Sequence, residues 1–135
     1  MLTDEMSQIV NNAFPKYTCL VATASKSGVP NIGFKGSVMV FDSESLAYWE
    51  RTRGTTLKNL EENPQIMVFV REPTTRKGWR FLGNAQIYRD GETREEIWKR
   101  TIQDEKERDP EKKGFGVIIK VQEIQNASDP TRPIS

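Results

Sequence analysis

Tyr17-Thr-Cys-Leu-Val-Ala-Thr-Ala24, Asn31 to Phe41 and Leu46-Ala-Tyr-Trp-Glu-Arg51 follow one another with only short polar breaks between them, and this arrangement decides the fold. Each run is rich in β-branched, aromatic or apolar residues, which suit a pleated, buried surface. The breaks, Ser25-Lys-Ser-Gly-Val-Pro30 and Asp42-Ser-Glu-Ser45, carry the turn formers glycine, proline, aspartate and serine. Strand, turn, strand, turn, strand is a β-meander. Working outward, Gln65-Ile-Met-Val-Phe-Val-Arg71, Trp79 to Arg89 and Gly114 to Ile124 read as further strands, with Gly83 marking a bend or a close backbone approach. Helices are expected at Leu2 to Ala13, capped by Thr3 and ended by Phe14-Pro15, at Thr56 to Asn63, closed by Pro64, and at Glu92 to Asp109. The expectation is one mainly β domain over residues 1–135, with six antiparallel strands, a few short flanking helices and a poorly ordered tail from about Gln125. Closing such a sheet into a small barrel removes its exposed edges.

Composition narrows the chemistry. The 135 residues include no histidine and one cysteine, which excludes an intrachain disulfide, every Ser-His-Asp or Cys-His mechanism, and any His-ligated zinc or haem site. With 20 Lys and Arg against 19 Asp and Glu, the formal charge of +1 gives no global field to gather nucleic acid. No apolar run approaches the roughly 18 residues of a membrane span, and Asp4 and Glu5 break the basic-then-apolar order of a signal peptide, so a cytoplasmic protein without a membrane partner is expected. Reactivity near neutral pH would then come from a borrowed group.

Four segments could carry function. Arg51-Thr-Arg-Gly-Thr-Thr-Leu-Lys-Asn59 joins a strand to a helix start and offers hydroxyls at Thr52, Thr55 and Thr56 with cations at Arg51, Arg53 and Lys58. Unpaired amides and the partial positive charge at a helix N-terminus attract anions, and a phosphate monoester fits that set; a plain threonine cap beside a solvated cationic face fits it as well. Asn31-Ile-Gly-Phe-Lys-Gly-Ser-Val38 places Lys35 between glycines inside a strand, as a ligand's close approach would require or as an exposed face beside a bulge would allow. Tyr48-Trp49 precedes the cationic segment and could line a flat heterocycle or simply fill a core. Thr74-Thr-Arg-Lys-Gly-Trp-Arg80 is basic with an aromatic residue, the weakest of the four as a single-strand nucleic-acid contact.

Taken in order, Gly28-Val-Pro-Asn31, the strand through Lys35-Gly-Ser37, Trp49-Glu-Arg-Thr52, Thr55-Thr-Leu-Lys-Asn-Leu-Glu-Glu-Asn-Pro64 and Trp79-Arg-Phe-Leu-Gly-Asn-Ala85 resemble the pyridoxamine-phosphate-oxidase-like family of FMN-binding split barrels. The resemblance runs from about Tyr17 to Gly91. It implies a six-stranded Greek-key split barrel and a homodimer with two FMN molecules in clefts at its interface. It further implies that Lys35, Gly36 and Ser37 face the isoalloxazine ring, that Trp49, Glu50, Arg51 and Thr52 run along its polar edge, and that Thr55, Thr56, Lys58 and Asn59 hold the phosphate. Trp79 and Arg80 would come from the partner subunit. The chain departs from the family's longer oxidases in ending Pro130-Thr-Arg-Pro-Ile-Ser135, without their Arg-Leu-Ala-Pro-like terminus, and from its histidine-using branches in having no histidine. The implied function is an FMN-dependent oxidoreductase fed by NADH or NADPH, with a non-catalytic flavin carrier or store and a deazaflavin-dependent reductase as alternatives.

Overall fold

The three apolar runs of the meander become four strands, because the second is cut in two by a turn. In the computed structural model, which describes residues 1–128, β1 (Cys19–Ala24), β2 (Pro30–Lys35), β3 (Met39–Asp42) and β4 (Ser45–Glu50) precede β5 (Gln65–Arg71), β6 (Gly78–Tyr88) and β7 (Phe115–Asn126). The described residues therefore hold seven strands and not the expected six, all paired antiparallel in the order β2-β1-β5-β6-β7-β4-β3. Gly36 lies at the split. A Cβ on it would stand 2.9 Å from Glu105 Oε2 and 3.0 Å from Phe14, so glycine serves here to admit neighbouring side chains at a turn.

The two edge strands, β2 and β3, are joined by only Gly36, Ser37 and Val38. Four Cα steps span at most about 15 Å, whereas six inter-strand spacings in a flat sheet would separate those edges by about 29 Å. The sheet must therefore curl until its edges lie close together, although no backbone ladder joins β2 to β3 among the pairings present.

Gly83 does what its place in a long apolar run implies. The β6–β7 register shifts between Leu82 and Gly83, and a Cβ at residue 83 would lie 2.0 Å from the Lys120 carbonyl oxygen. At this bulge only glycine lets the two backbones meet.

Helix α1 (Asp4–Asn11) starts as expected, with the Thr3 hydroxyl accepting from the Met6 amide at 3.2 Å. Helix α2 (Thr55–Glu62) packs on β1, β2 and β6. The long helix expected over Glu92 to Asp109 is two helices, α3 (Gly91–Arg100) and α4 (Gln103–Glu107). Thr101 breaks it: its extended backbone ends α3, and its hydroxyl donates to the Ile97 carbonyl at 2.6 Å. The expected tail also begins too early, since Gln125 and Asn126 complete β7 and the Ala127 carbonyl accepts from the Arg71 guanidinium; residues 129–135 lie outside the described residues.

Strand β4 is buried on both faces. Leu46 and Tyr48 join the main core with Val21, Val68, Phe81 and Val117, while Ala47 and Trp49 pack with Met39 and Ile97 under α3. Among the described residues no helix is long and apolar enough to cross a membrane.

Candidate functional site

Helix α2 opens without a conventional cap. Its N-cap is Gly54, no side chain among the described residues caps it, and its first turn holds no acidic residue. Donors left in this way at a helix start favour an anion. A cavity of about 450 Å³ runs along one flank of the helix, lined by Thr55, Lys58, Asn59 and Glu62 and by Ser25, Val29, Pro30 and Asn31. Two further bonds fix this wall: Asn31 Nδ2 donates to Thr56 Oγ1 at 3.3 Å, and Asn59 Nδ2 donates to Thr23 Oγ1 at 3.1 Å. Thr55, Lys58 and Asn59 are thus brought together, while Thr56 is buried behind them. Of this lining the Thr55 hydroxyl and the Lys58 ammonium suit a phosphate, whereas the Glu62 carboxylate opposes one and Asn59 is buried with its amide donating to Thr23.

The ring-facing set is arranged differently. Lys35 is buried, and its ammonium donates to Glu50 Oε1 at 2.9 Å and to Thr52 Oγ1 at 3.4 Å. Glu50 is fully buried and its other oxygen accepts from Thr52 Oγ1 at 3.0 Å and the Arg53 amide at 2.9 Å. Ser37 Oγ donates to the Trp49 carbonyl at 3.2 Å and accepts the Trp49 amide at 2.9 Å, tying the β2–β3 turn to β4. The Trp49 indole points away from Lys35 into the α3 layer, where Nε1 donates to Asp109 Oδ2 at 2.9 Å and the ring meets Trp98 edge-on. Arg51 Nε donates to the buried Glu105 carboxylate at 3.1 Å. Trp79 is buried against Phe81, whereas Arg80 lies half-exposed over the Phe69 ring.

Burial opposes the charge on Asp109, but hydrogen bonds from Trp49 Nε1 and the Lys113 and Gly114 amides outweigh it and hold its pKa below the usual carboxylate range. The stability this lends is present above the unfolded carboxylate pKa and is lost as pH falls through the lowered folded value.

Tyr48 is the exception to this bonding. Its hydroxyl is buried with no hydrogen-bond partner among the described residues, and burial, reinforced by the nearby Glu50 charge, pushes its pKa well above the usual tyrosine value. Tyr48→Phe removes an unsatisfied group and should raise stability by about 1 kcal/mol, measured as a higher urea midpoint. A lower midpoint would show that the hydroxyl is bonded in solution.

The residues that sequence reading missed lie mostly on the outside of the sheet. The register sets Phe34, Leu20, Phe69 and Arg80 in one row and Ile32, Ala22, Met67 and Leu82 in the next. Phe34 and Ile32 are 74% and 65% exposed, and an open groove of about 300 Å³ runs over this apolar face. The signal was present: β1 and β5 are apolar at consecutive positions, as strands covered on both faces are. Glu105 and Asp109, which grip Arg51 and Trp49, lie within the stretch expected as one helix from Glu92 to Asp109, and their roles became visible once the chain was folded.

Comparison with known proteins places the fold. An uncharacterised protein of Methanocaldococcus jannaschii is 31% identical over 128 residues, covering 93% of this chain and 80% of that protein. The crystal structure of HupZ from Group A Streptococcus superposes with a TM-score of 0.80 at 31% identity, covering 96% of each chain. A putative pyridoxamine 5'-phosphate oxidase of Lactobacillus delbrueckii shares the fold at a TM-score of 0.73 and 23% identity, covering 92% of this chain and 93% of that one. More distant structures with the same fold include an FMN-binding protein of Nostoc punctiforme, an F420 reductase and HutZ, the heme storage protein of Vibrio cholerae. The sequence model of the pyridoxamine 5'-phosphate oxidase family matches residues 2–126, and the chain belongs to that family.

Proposed function

We propose that this protein is an FMN-binding oxidoreductase that works as a homodimer, with one flavin site at each end of a shared apolar interface. The observation that supports it most is the cavity along α2 that joins Thr55, at the uncapped helix start, to Lys58. That cavity is walled by Asn31, next in sequence to Ile32 of the apolar face, so a phosphate tail and a flat ring have adjoining places. The α2 amides, Thr55 and Lys58 hold the phosphate, and the second copy covers Ile32 and Phe34 and closes the ring pocket against water. Arg51, fixed by Glu105, and Arg80, over Phe69, are the half-exposed cations placed to orient the ring or a second substrate. The bound flavin supplies hydride and electron transfer, with NADH or NADPH as donor.

Other cofactors of this fold make distinct demands. The absence of histidine leaves no imidazole for a haem iron, while a deazaflavin would use the same phosphate cavity. Titration of the purified protein with FMN, riboflavin, a deazaflavin and haem tests the reading. FMN should bind more tightly than riboflavin by about tenfold or more, because only FMN carries the phosphate. Equal affinities, or a preference for haem, would refute it.

A flavin carrier or store is the second reading, favoured by one feature. Lys35, Ser37 and Glu50 are bonded to one another or to backbone, so none of the three is free as an acid or base. Steady-state oxidation of NADH or NADPH by the flavin-loaded protein separates enzyme from carrier.

A further inference from the structure

We propose that Asn11 and Arg100 plug the free edge of β3 and so keep a second copy of this chain from adding a strand there. The inference does not depend on the flavin reading. It begins in the sequence: Ser37-Val-Met-Val-Phe41 is an uncharged, mostly apolar run of strand formers, and the fold puts its β3 part on an outermost strand of the sheet. Such an edge is a template for strand addition unless its backbone groups are blocked.

Strand β3 has β4 as its one ladder partner, pairing Met39 with Ala47, Val40 with Leu46 and Asp42 with Ser45. On its other side an incoming antiparallel strand would bond through both the amide and the carbonyl of one residue. At Val40 side chains hold both. The Val40 amide donates to Asn11 Oδ1 at 2.8 Å, and the Val40 carbonyl accepts from Arg100 Nη2 at 3.1 Å. The same nitrogen donates to the Phe41 carbonyl at 3.0 Å, where the β3–β4 register slips, and the guanidinium lies 4.6 Å from the centre of the Phe41 ring. Asn11 is the last residue of α1 and Arg100 the last of α3, so two helices far apart in sequence end on one edge. The Leu2 amide, donating to the Ser43 carbonyl at 2.9 Å, ties the other end of α1 to the turn after β3. Two such edges brought together would also oppose their arginines.

Asn11→Ala/Arg100→Ala removes both plugs at exposed positions and leaves the core intact. Sedimentation at rising protein concentration, with thioflavin T fluorescence, reads strand addition. The double variant should form species heavier than wild type and bind the dye, while wild type keeps one sedimentation coefficient. Its Val40 amide should exchange with solvent about fivefold faster, as loss of one hydrogen bond requires. Arg100→Ala alone, which leaves α1 as it is, should show the same association to a smaller degree. Asn11→Asp/Arg100→Lys keeps an acceptor and a donor in place and should restore wild-type sedimentation. Tyr17→Phe removes the bond to the Ile9 carbonyl of α1 without touching β3 and should stay at wild-type size. Association of the Tyr17 variant would trace the effect to a loosened α1 and overturn the role of the edge. Unchanged Val40 exchange, or alanine variants that stay at wild-type size, would overturn it equally.

Discussion

Glu50→Met alone is expected to destabilise the protein by about 3 kcal/mol or more, whereas Lys35→Met/Glu50→Met should return to within about 1 kcal/mol of wild type. The asymmetry follows from burial. Glu50 is 0% exposed and Lys35 9%, so removing one partner strands the other charge where water cannot solvate it. Removing both leaves apolar side chains near Tyr48, whose ring already lies 5.5 Å from the Lys35 ammonium. The Thr52 hydroxyl and Arg53 amide then lose an acceptor, but both residues are exposed and water replaces it. Urea unfolding of the wild type, both single variants and the double variant gives the coupling directly. Additive single effects would mean that the two side chains do not act as a pair. A domain of this size has only about 5–15 kcal/mol in hand, so the single variant should also unfold at a visibly lower temperature.

Phe34→Lys is expected to convert the proposed dimer into monomers while leaving each chain folded. Phe34 is 74% exposed in the single chain, so the substitution removes little from its own core. In the dimer the same position would be covered, and burying an ammonium in the apolar row of Leu20 and Phe69 is prohibitive. Sedimentation should show wild-type dimers and variant monomers, and a shared ring pocket should lose flavin affinity in parallel. A variant that sediments like wild type would place the dimer contact elsewhere, and a monomeric wild type would remove the homodimer from the proposed function.

Much of the fold was legible because strand signals are local. Gln65–Arg71 is a strand within its expected limits, Thr3 caps α1, and Gly83 marks the backbone approach at the bulge. The failures were local signals that tertiary contacts override. Asn31 to Phe41 reads as one strand because Gly36 and Ser37 interrupt the apolar pattern only briefly; only the fold shows that Phe14 and Glu105, from distant parts of the sequence, leave no room for a Cβ at the Gly36 turn. Glu92 to Asp109 reads as one charged helix because nothing in its periodicity shows that the Thr101 hydroxyl bonds back to Ile97.

The candidate site divides along the same line. Thr55, Lys58 and Asn59 lie within one helical turn or so, and their convergence on the α2 cavity follows from helical spacing that a sequence displays. Lys35 with Glu50, Arg51 with Glu105, and Trp49 with Asp109 are separated by 15, 54 and 60 positions, and no local pattern announces such pairs. By itself the sequence determined a mainly β domain of the pyridoxamine 5'-phosphate oxidase family with no imidazole chemistry, since these depend on residue type and short-range periodicity. Tertiary structure alone decided which polar groups are consumed inside the protein and which face a ligand, because a hydrogen bond satisfied in the core is unavailable outside it, and only the register of distant strands shows which case applies.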